Sequence, residues 1–121
     1  MTLKQIANYL RAHRRRCGLS QRELAEIVGY ITQAPVSDHE RSVTIPGLLI
    51  ALSYEIVFRV PISELFPGLY RTVEAQVEEQ LARIETELQD SSAKGKRAAF
   101  IARKLEWLWE RRNPETSQSN S

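Results

Sequence analysis

Cysteine, histidine and long apolar runs are scarce in this 121-residue chain, and each scarcity excludes a class of protein. The single cysteine, Cys17, has no partner for an internal disulfide, and with two histidines it cannot complete a structural zinc site. The longest apolar stretches, 47–52 and 56–58, fall far short of the ~18 residues that cross a bilayer. The N-terminus lacks the pattern of a signal peptide, so we expect a cytoplasmic protein.

The composition is otherwise that of a folded globular protein, with one domain or a small domain and an appendage. Hydrophobic residues make up 42% of the chain and charged residues 26%, while Gly and Pro number five each. The net charge of +2 is unevenly distributed. By segment it is +3 over 1–41, −1 over 42–66, −4 over 67–91, +5 over 92–112 and −1 over 113–121. Two basic blocks therefore flank an acidic one, and a basic block is either a phosphate-binding surface or a solvated helix face.

The first two helices are predicted from apolar spacing and from capping residues. A helix is expected over 3–17, and Gly18 is suited to end it in a left-handed conformation. Ser20 and Glu23 form a capping-box pattern at the start of a second helix, which stops at Gly29. The apolar face of the first helix consists of Leu3, Ile6, Leu10 and Cys17, with His13 between them.

Three further short helices are predicted before residue 66. Thr32 can cap a helix that runs to about Arg41, with Pro35 in its first turn. Thr44 or Pro46 opens a strongly apolar helix over 48–58. A last short turn, introduced by Pro61 and Ser63, follows through 65–66.

Beyond Pro67 the pattern changes to two longer amphipathic helices. The first has apolar residues at 3-4-4-3-4 spacing and ends at Asp90, and the second spans 98–112. We therefore predict an all-α fold, with a five-helix domain over 1–68, a helical hairpin over 69–112 and a disordered tail over 113–121. The apolar stripe of the first long helix is Tyr70, Val73, Val77, Leu81, Ile84 and Leu88; that of the second includes Ile101, Leu105, Leu108 and Trp109, with Phe100 and Trp107 on another side.

Three short strings in the first half carry the functional information. They are Gly18-Leu-Ser-Gln-Arg-Glu-Leu-Ala25, Ser37-Asp-His-Glu-Arg41 and Ser63-Glu-Leu-Phe66. In this order and spacing, the segment resembles the helix-turn-helix domain of the phage-repressor/Cro (XRE) family. The resemblance implies a lambda-repressor-like fold with a positioning helix over 20–28 and a recognition helix over 33–41, which enters the major groove.

The resemblance also implies the DNA contacts. Gln21 falls at a phosphate-contacting position and Gln33 at a base-reading position, where an amide can pair with adenine. Ala34 can touch a thymine methyl group, and Arg22 and Arg41 lie near phosphates. Asp38 departs from the family pattern, which often has a neutral or basic residue at this position. A carboxylate repels phosphate, but it can accept a hydrogen bond from cytosine N4. The full set of predicted DNA-contacting residues is Gln21, Arg22, Thr32, Gln33, Ala34, Ser37, Asp38 and Arg41.

Other residues of the motif have structural interpretations. Arg14 and Glu40 match a buried ion pair between the first and third helices of the family. His39 is expected to be packed, and Cys17 to be inert on an apolar face. Ser42 and Arg59 stand where the family often has Gly, so a positive φ there carries a cost. The core positions are Leu24, Ala25, Val28 and Val36.

We interpret the chain as a non-enzymatic transcription regulator that binds double-stranded DNA and needs no cofactor or metal. No catalytic constellation is present in the sequence. The apolar stripes of 67–112 exceed what one hairpin seam covers and predict a homodimer, although the hairpin could instead pack on its own domain. Two alternatives stay open: an antitoxin that binds DNA and a toxin, and a degenerate helix-turn-helix that serves as an interaction scaffold.

Overall fold

The computed structural model describes residues 6–114 and confirms the all-α prediction for that range, with seven helices and no strand. Five short helices precede two long ones, in the predicted order. The hairpin helices begin and end close to the predicted residues, since the first ends at Gln89 and the second begins at Lys96 rather than at Ala98. The helices are α1 (Leu10–Arg16), α2 (Gln21–Val28), α3 (Ala34–Glu40), α4 (Leu48–Phe58), α5 (Ile62–Leu65), α6 (Pro67–Gln89) and α7 (Lys96–Arg112).

The predicted first helix is too long, because residues 6–9 are not helical. Asn8 accounts for the late start: its Oδ1 accepts from the Leu10 N–H at 2.9 Å, which satisfies a free donor of the first turn. The Asn8 Nδ2 donates to the His39 carbonyl at 2.9 Å and to Ser42 Oγ at 3.0 Å. Asn8 therefore ties the beginning of α1 to the end of α3. Leu3 lies outside the described residues, as does the predicted tail from residue 115 onwards.

The predicted ends of α1 and α2 are confirmed. Gly18 has φ +76° and Gly29 has φ +98°, the left-handed region that favours glycine. At the start of α2, Ser20 Oγ accepts from the Glu23 N–H at 3.0 Å, and Glu23 Oε1 accepts from the Ser20 N–H at 2.9 Å. These contacts lie within four residues of each other, so the sequence alone fixes them.

The predicted caps of α3 and α4 are wrong. The residue that precedes α3 is Gln33, which makes no side-chain capping bond, while Pro35 occupies the first turn as predicted. The residue that precedes α4 is Gly47, not Thr44 or Pro46, and its carbonyl accepts from the Ala51 N–H at 2.9 Å. Both helices begin without a side-chain capping bond.

One apolar core joins the first five helices. Leu24, Ala25 and Val36 are buried in it, and Val28 is half-buried against it, as predicted. Cys17 contradicts its prediction, because it is exposed at the end of α1 and not on the apolar face. The buried members of the core are Leu10, Leu24, Ala25, Val36, Tyr54, Leu65 and Phe66.

The two predicted departures from glycine both adopt a positive φ. Ser42 has φ +58° after α3, and Arg59 has φ +56° at the end of α4. At Ser42 the cost of the positive φ is offset by hydrogen bonds, because its hydroxyl donates to the Ile6 carbonyl and accepts from Asn8 Nδ2. The exposed Arg59 side chain makes no hydrogen bond or ion pair that would offset its left-handed backbone in the described part of the chain.

Arg59→Gly is therefore expected to stabilise the protein by about 0.5–1 kcal/mol. The left-handed conformation costs a non-glycine residue roughly 1–2 kcal/mol, and the larger entropy of an unfolded glycine takes back part of the gain. Thermal unfolding should show a melting temperature higher by about 2–5 °C. Ser42→Gly is the control and should show no gain, since it also removes two hydrogen bonds.

The chain divides into two compact units, 1–74 and 75–121, with the boundary inside α6. In the second unit, two ion pairs join the acidic helix α6 to the basic helix α7. Arg111 Nη2 lies 2.5 Å from Glu78 Oε1, and Arg112 Nη2 lies 2.5 Å from Glu85 Oε1. Leu108 is the buried residue of α7.

In the described range, no helix has the length and apolarity needed to span a membrane.

Candidate nucleic-acid interface

Helices α2 and α3 form a helix-turn-helix unit around shared buried residues. Ala25 on α2 and Val36 on α3 lie in the same core, and the Tyr30 N–H donates to the Ala25 carbonyl at 2.8 Å in the turn between them. Gly29 allows the sharp exit from α2. This arrangement fixes α3 relative to α2 through local contacts.

The third helix has one buried face and one accessible face. Val36 and His39 are buried, three residues apart on one side. Of the residues predicted to contact DNA, Gln21 and Arg22 lie at the start of α2, and the others lie on the accessible side of α3 or directly beside that helix. Thr32, Gln33, Ala34 and Arg41 are exposed, and Ser37 and Asp38 are partly exposed.

Arg14 and Glu40 form an ion pair that joins α1 to α3. Arg14 Nε lies 2.5 Å from Glu40 Oε2, and Nη2 donates to Oε1 at 3.1 Å, so the contact is bidentate. The two side chains are 9% and 1% exposed. Arg14 Nη1 also donates to the Leu19 carbonyl at 2.8 Å. The hydrogen bond to Glu40 raises the pKa of the Arg14 guanidinium, against the effect of burial.

Gln21 belongs to the same network. Its Nε2 donates to Glu40 Oε1 at 3.0 Å, so the first residue of α2 is attached to the last residue of α3. One N–H of the amide is used in this bond, and a primary amide has two. The structure therefore holds the Gln21 side chain in one orientation, which sequence reasoning did not predict because Glu40 is 19 residues away.

Asp38 and Arg41 form an exposed pair on α3. Arg41 Nη2 lies 2.8 Å from Asp38 Oδ1, and Arg41 Nε donates to Ser37 Oγ at 3.3 Å. The pairing reduces the repulsion that the Asp38 carboxylate would exert on a phosphate. Exposed pairs of this kind contribute little to stability, so Arg41 can exchange Asp38 for another anion at small cost.

His39 is buried, and Tyr54 on α4 is its partner. His39 Nδ1 lies 2.7 Å from the Tyr54 hydroxyl, and the two rings meet edge to face with centroids 5.8 Å apart. Burial raises the pKa of Tyr54, so the hydroxyl stays protonated and shares one hydrogen bond with His39 Nδ1. Sequence reasoning expected His39 to be packed but missed Tyr54, and it also missed Asn8, which an Asn just before a helix could have signalled.

Acid is expected to destabilise the protein through His39. Burial lowers the pKa of His39 and outweighs the attraction of Asp38, so the unfolded chain binds this proton more readily than the folded one. The free energy of unfolding is therefore unaffected by His39 above its ordinary pKa of 6.5. It falls as the pH drops below 6.5, until the lower pKa of His39 in the folded protein is reached. The loss is up to about 1.4 kcal/mol per pH unit.

Urea unfolding at several pH values measures this effect. His39→Gln keeps a hydrogen-bonding group near Tyr54 but does not titrate, so the variant should lose the extra acid sensitivity of the parent. Identical pH slopes for parent and variant would show that the burial of His39 has no energetic consequence.

A comparison of the sequence with known protein families found a match over the residues that form this site. The helix-turn-helix family model matches residues 10–65, which run from the start of α1 to the end of α5. Comparisons with curated proteins and with solved structures found no significant match. The match over residues 10–65 thus supports a DNA-binding helix-turn-helix unit of the XRE type in this part of the chain.

Proposed function

We propose that this protein is a sequence-specific transcription regulator that places α3 in the major groove of double-stranded DNA. The observation that carries the proposal is the exposure of Gln33 and Ala34 at the start of a helix whose opposite face is held by buried contacts. A recognition helix reads bases with its N-terminal residues, so these side chains lie where base contacts are made in such motifs.

The predicted residues fall into two groups, those that would contact bases and those that would contact phosphates. Gln33 would pair with adenine N6 and N7, and Ala34 would contact a thymine methyl group. Ser37 and Asp38 would face the groove further along α3, and Thr32 would contact DNA from the turn. Gln21, Arg22 and Arg41 would donate to phosphate oxygens, with Gln21 using the second N–H of the amide that Glu40 orients.

We further propose that residues 67–112 form a homodimer. The apolar stripe of α6 supports this, because Tyr70, Val73, Val77 and Ile84 are each nearly half exposed within one chain. Phe100, Trp107 and Trp109 on α7 are at least half exposed as well. A second chain would bury these residues and bring two recognition helices to a twofold site, with half-sites about 10 bp apart or a multiple of that distance.

Gln33→Ala is expected to lower affinity for the specific site by about 1–3 kcal/mol and to leave binding to random duplex nearly unchanged. A base contact carries sequence information and adds little general affinity. Titration of both duplexes by fluorescence anisotropy measures the two effects. Gln80→Ala, on the exposed surface of α6, is the matched control and should alter neither. An equal loss on both duplexes would show that Gln33 does not read a base.

Selection of bound fragments from a random duplex pool tests the function directly, since it reports binding, site sequence and half-site spacing together. Recovery of a twofold sequence is the expected result.

The second candidate, an interaction scaffold, is favoured by the engagement of Arg41 with Asp38 and by exposed aliphatic residues on α4. Salt dependence separates the two, because a DNA-binding protein loses affinity steeply as log salt rises and a scaffold shows a flat, weak response.

A further inference from the structure

Helix α4 is apolar on two opposite faces, which is unusual for a helix at the surface of a small domain. Among its eleven residues, Glu55 is the only charged one. The Glu55 carboxylate is engaged within the unit, since its Oε1 accepts from the Ile62 N–H at 2.9 Å. A helix that is apolar all round is normally covered on all sides.

The core covers one of these faces. Tyr54 is fully buried, and the residues beside it on the helix surface are partly buried against the same core. At 3.6 residues per turn these residues share one side of α4. The inner face consists of Ile50, Tyr54, Val57 and Phe58.

The opposite side of α4 is accessible, and we call it the outer α4 face. Its members lie within an arc of about 100° on the helix surface. Isolated exposed apolar residues are ordinary, but a contiguous aliphatic stripe marks an interaction surface. The members are Leu48, Leu49, Leu52 and Ile56, which are 75%, 79%, 45% and 72% exposed.

We propose that the outer α4 face binds the outer α4 face of a second copy of this chain. The four stripe residues carry no charge, and the bordering Glu55 carboxylate is held by the Ile62 N–H, so a twofold axis through the stripe brings aliphatic side chains together. An antiparallel pairing centred on Leu52 sets Leu48 against Ile56 of the second copy, so large aliphatic residues meet along the whole stripe. The same surface therefore serves as its own complement.

The available area sets the strength of this contact. From the transfer energy of a Leu or Ile side chain, the stripe offers roughly 200–300 Å² of aliphatic surface per chain. A standard interface buries about 800 Å² per partner, slightly more than half of it apolar. The outer α4 face thus supplies about half of the apolar surface of such an interface. That amount suits a weak, reversible contact, additional to the proposed hairpin dimer and independent of DNA.

Sedimentation equilibrium of the full chain across the micromolar range tests the proposal. The parent should exceed the mass of a dimer as concentration rises. Leu81→Arg, which disrupts the proposed hairpin dimer, should still form dimers through α4. Leu48→Glu in that background should weaken association at least 100-fold and leave a monomer of 13.9 kDa. Ile31→Glu, a change at a fully exposed residue outside the stripe, is the matched control and should leave the mass unchanged.

A mixing experiment tests the antiparallel pairing. Ile56→Lys should also abolish association, whereas an equimolar mixture of the Leu48→Glu and Ile56→Lys proteins should associate, because the opposite charges then face each other. Both residues are at least 72% exposed, so the variants should melt within a degree or two of the parent.

The outcomes separate this contact from the hairpin dimer. A monomeric Leu81→Arg protein at high concentration, or a mass that Leu48→Glu leaves unchanged, would overturn the α4 contact; the second result would mean that another partner covers the stripe. Loss of association by Leu48→Glu alone, with no effect of Leu81→Arg, would support the α4 contact and refute the hairpin dimer.

Discussion

Glu40→Ala is expected to destabilise the 1–74 unit by about 3–5 kcal/mol, enough to unfold it near room temperature. The Glu40 side chain is 1% exposed and accepts from Arg14 and Gln21. Its removal leaves the Arg14 guanidinium buried without a countercharge, which costs far more than the lost pair contributes. The same change releases the beginning of α2 from the end of α3, so the recognition helix loses its fixed position.

Thermal and urea unfolding followed by circular dichroism measure this loss. Asp38→Ala is the matched control, since it removes the carboxylate of an exposed pair on the same helix and should cost less than about 1 kcal/mol. Similar melting temperatures for Glu40→Ala and Asp38→Ala would contradict the inferred energetic role of burial at the Arg14–Glu40 pair.

Leu81→Arg is expected to lower affinity for a twofold DNA site by about 10²–10⁴-fold, because a linked second head binds at high effective concentration. Leu81 lies in the apolar stripe of α6, and a guanidinium there would be forced into the proposed dimer seam. DNA titrations at nanomolar protein keep the weaker α4 contact dissociated. Affinity for a single half-site should be unchanged, since the recognition helix is intact.

Gln80→Arg adds the same charge to an exposed neighbouring position and should retain full affinity for the twofold site. Equal loss at the full site and at the half-site would point to damage in the DNA-binding unit rather than to loss of a dimer. A shortened chain that ends after Glu74, at the boundary of the first unit, keeps Leu69 against the core and offers a second way to remove the hairpin.

Some features of the site depended on distant residues and escaped sequence reasoning. Asn8 also bonds to groups more than thirty residues away, and Tyr54 reaches His39 from another helix. The orientation of the Gln21 amide depends on Glu40. Cys17 is exposed because α1 ends just before it, although its spacing matched the apolar face. For Asn8, Tyr54 and Gln21, the decisive partner lies on a distant element, which sequence spacing does not reveal.

The sequence by itself determined the helical class, the order of the helices, the capping box at Ser20 and Glu23, and the glycine stops. These features depend on interactions within one or two turns, where residue type and spacing are sufficient. The tertiary structure alone decided which atoms hold Gln21 and which face of α4 remains accessible. An apolar helix carries no sign of which side the core will cover, because burial is set by the packing of distant elements around it.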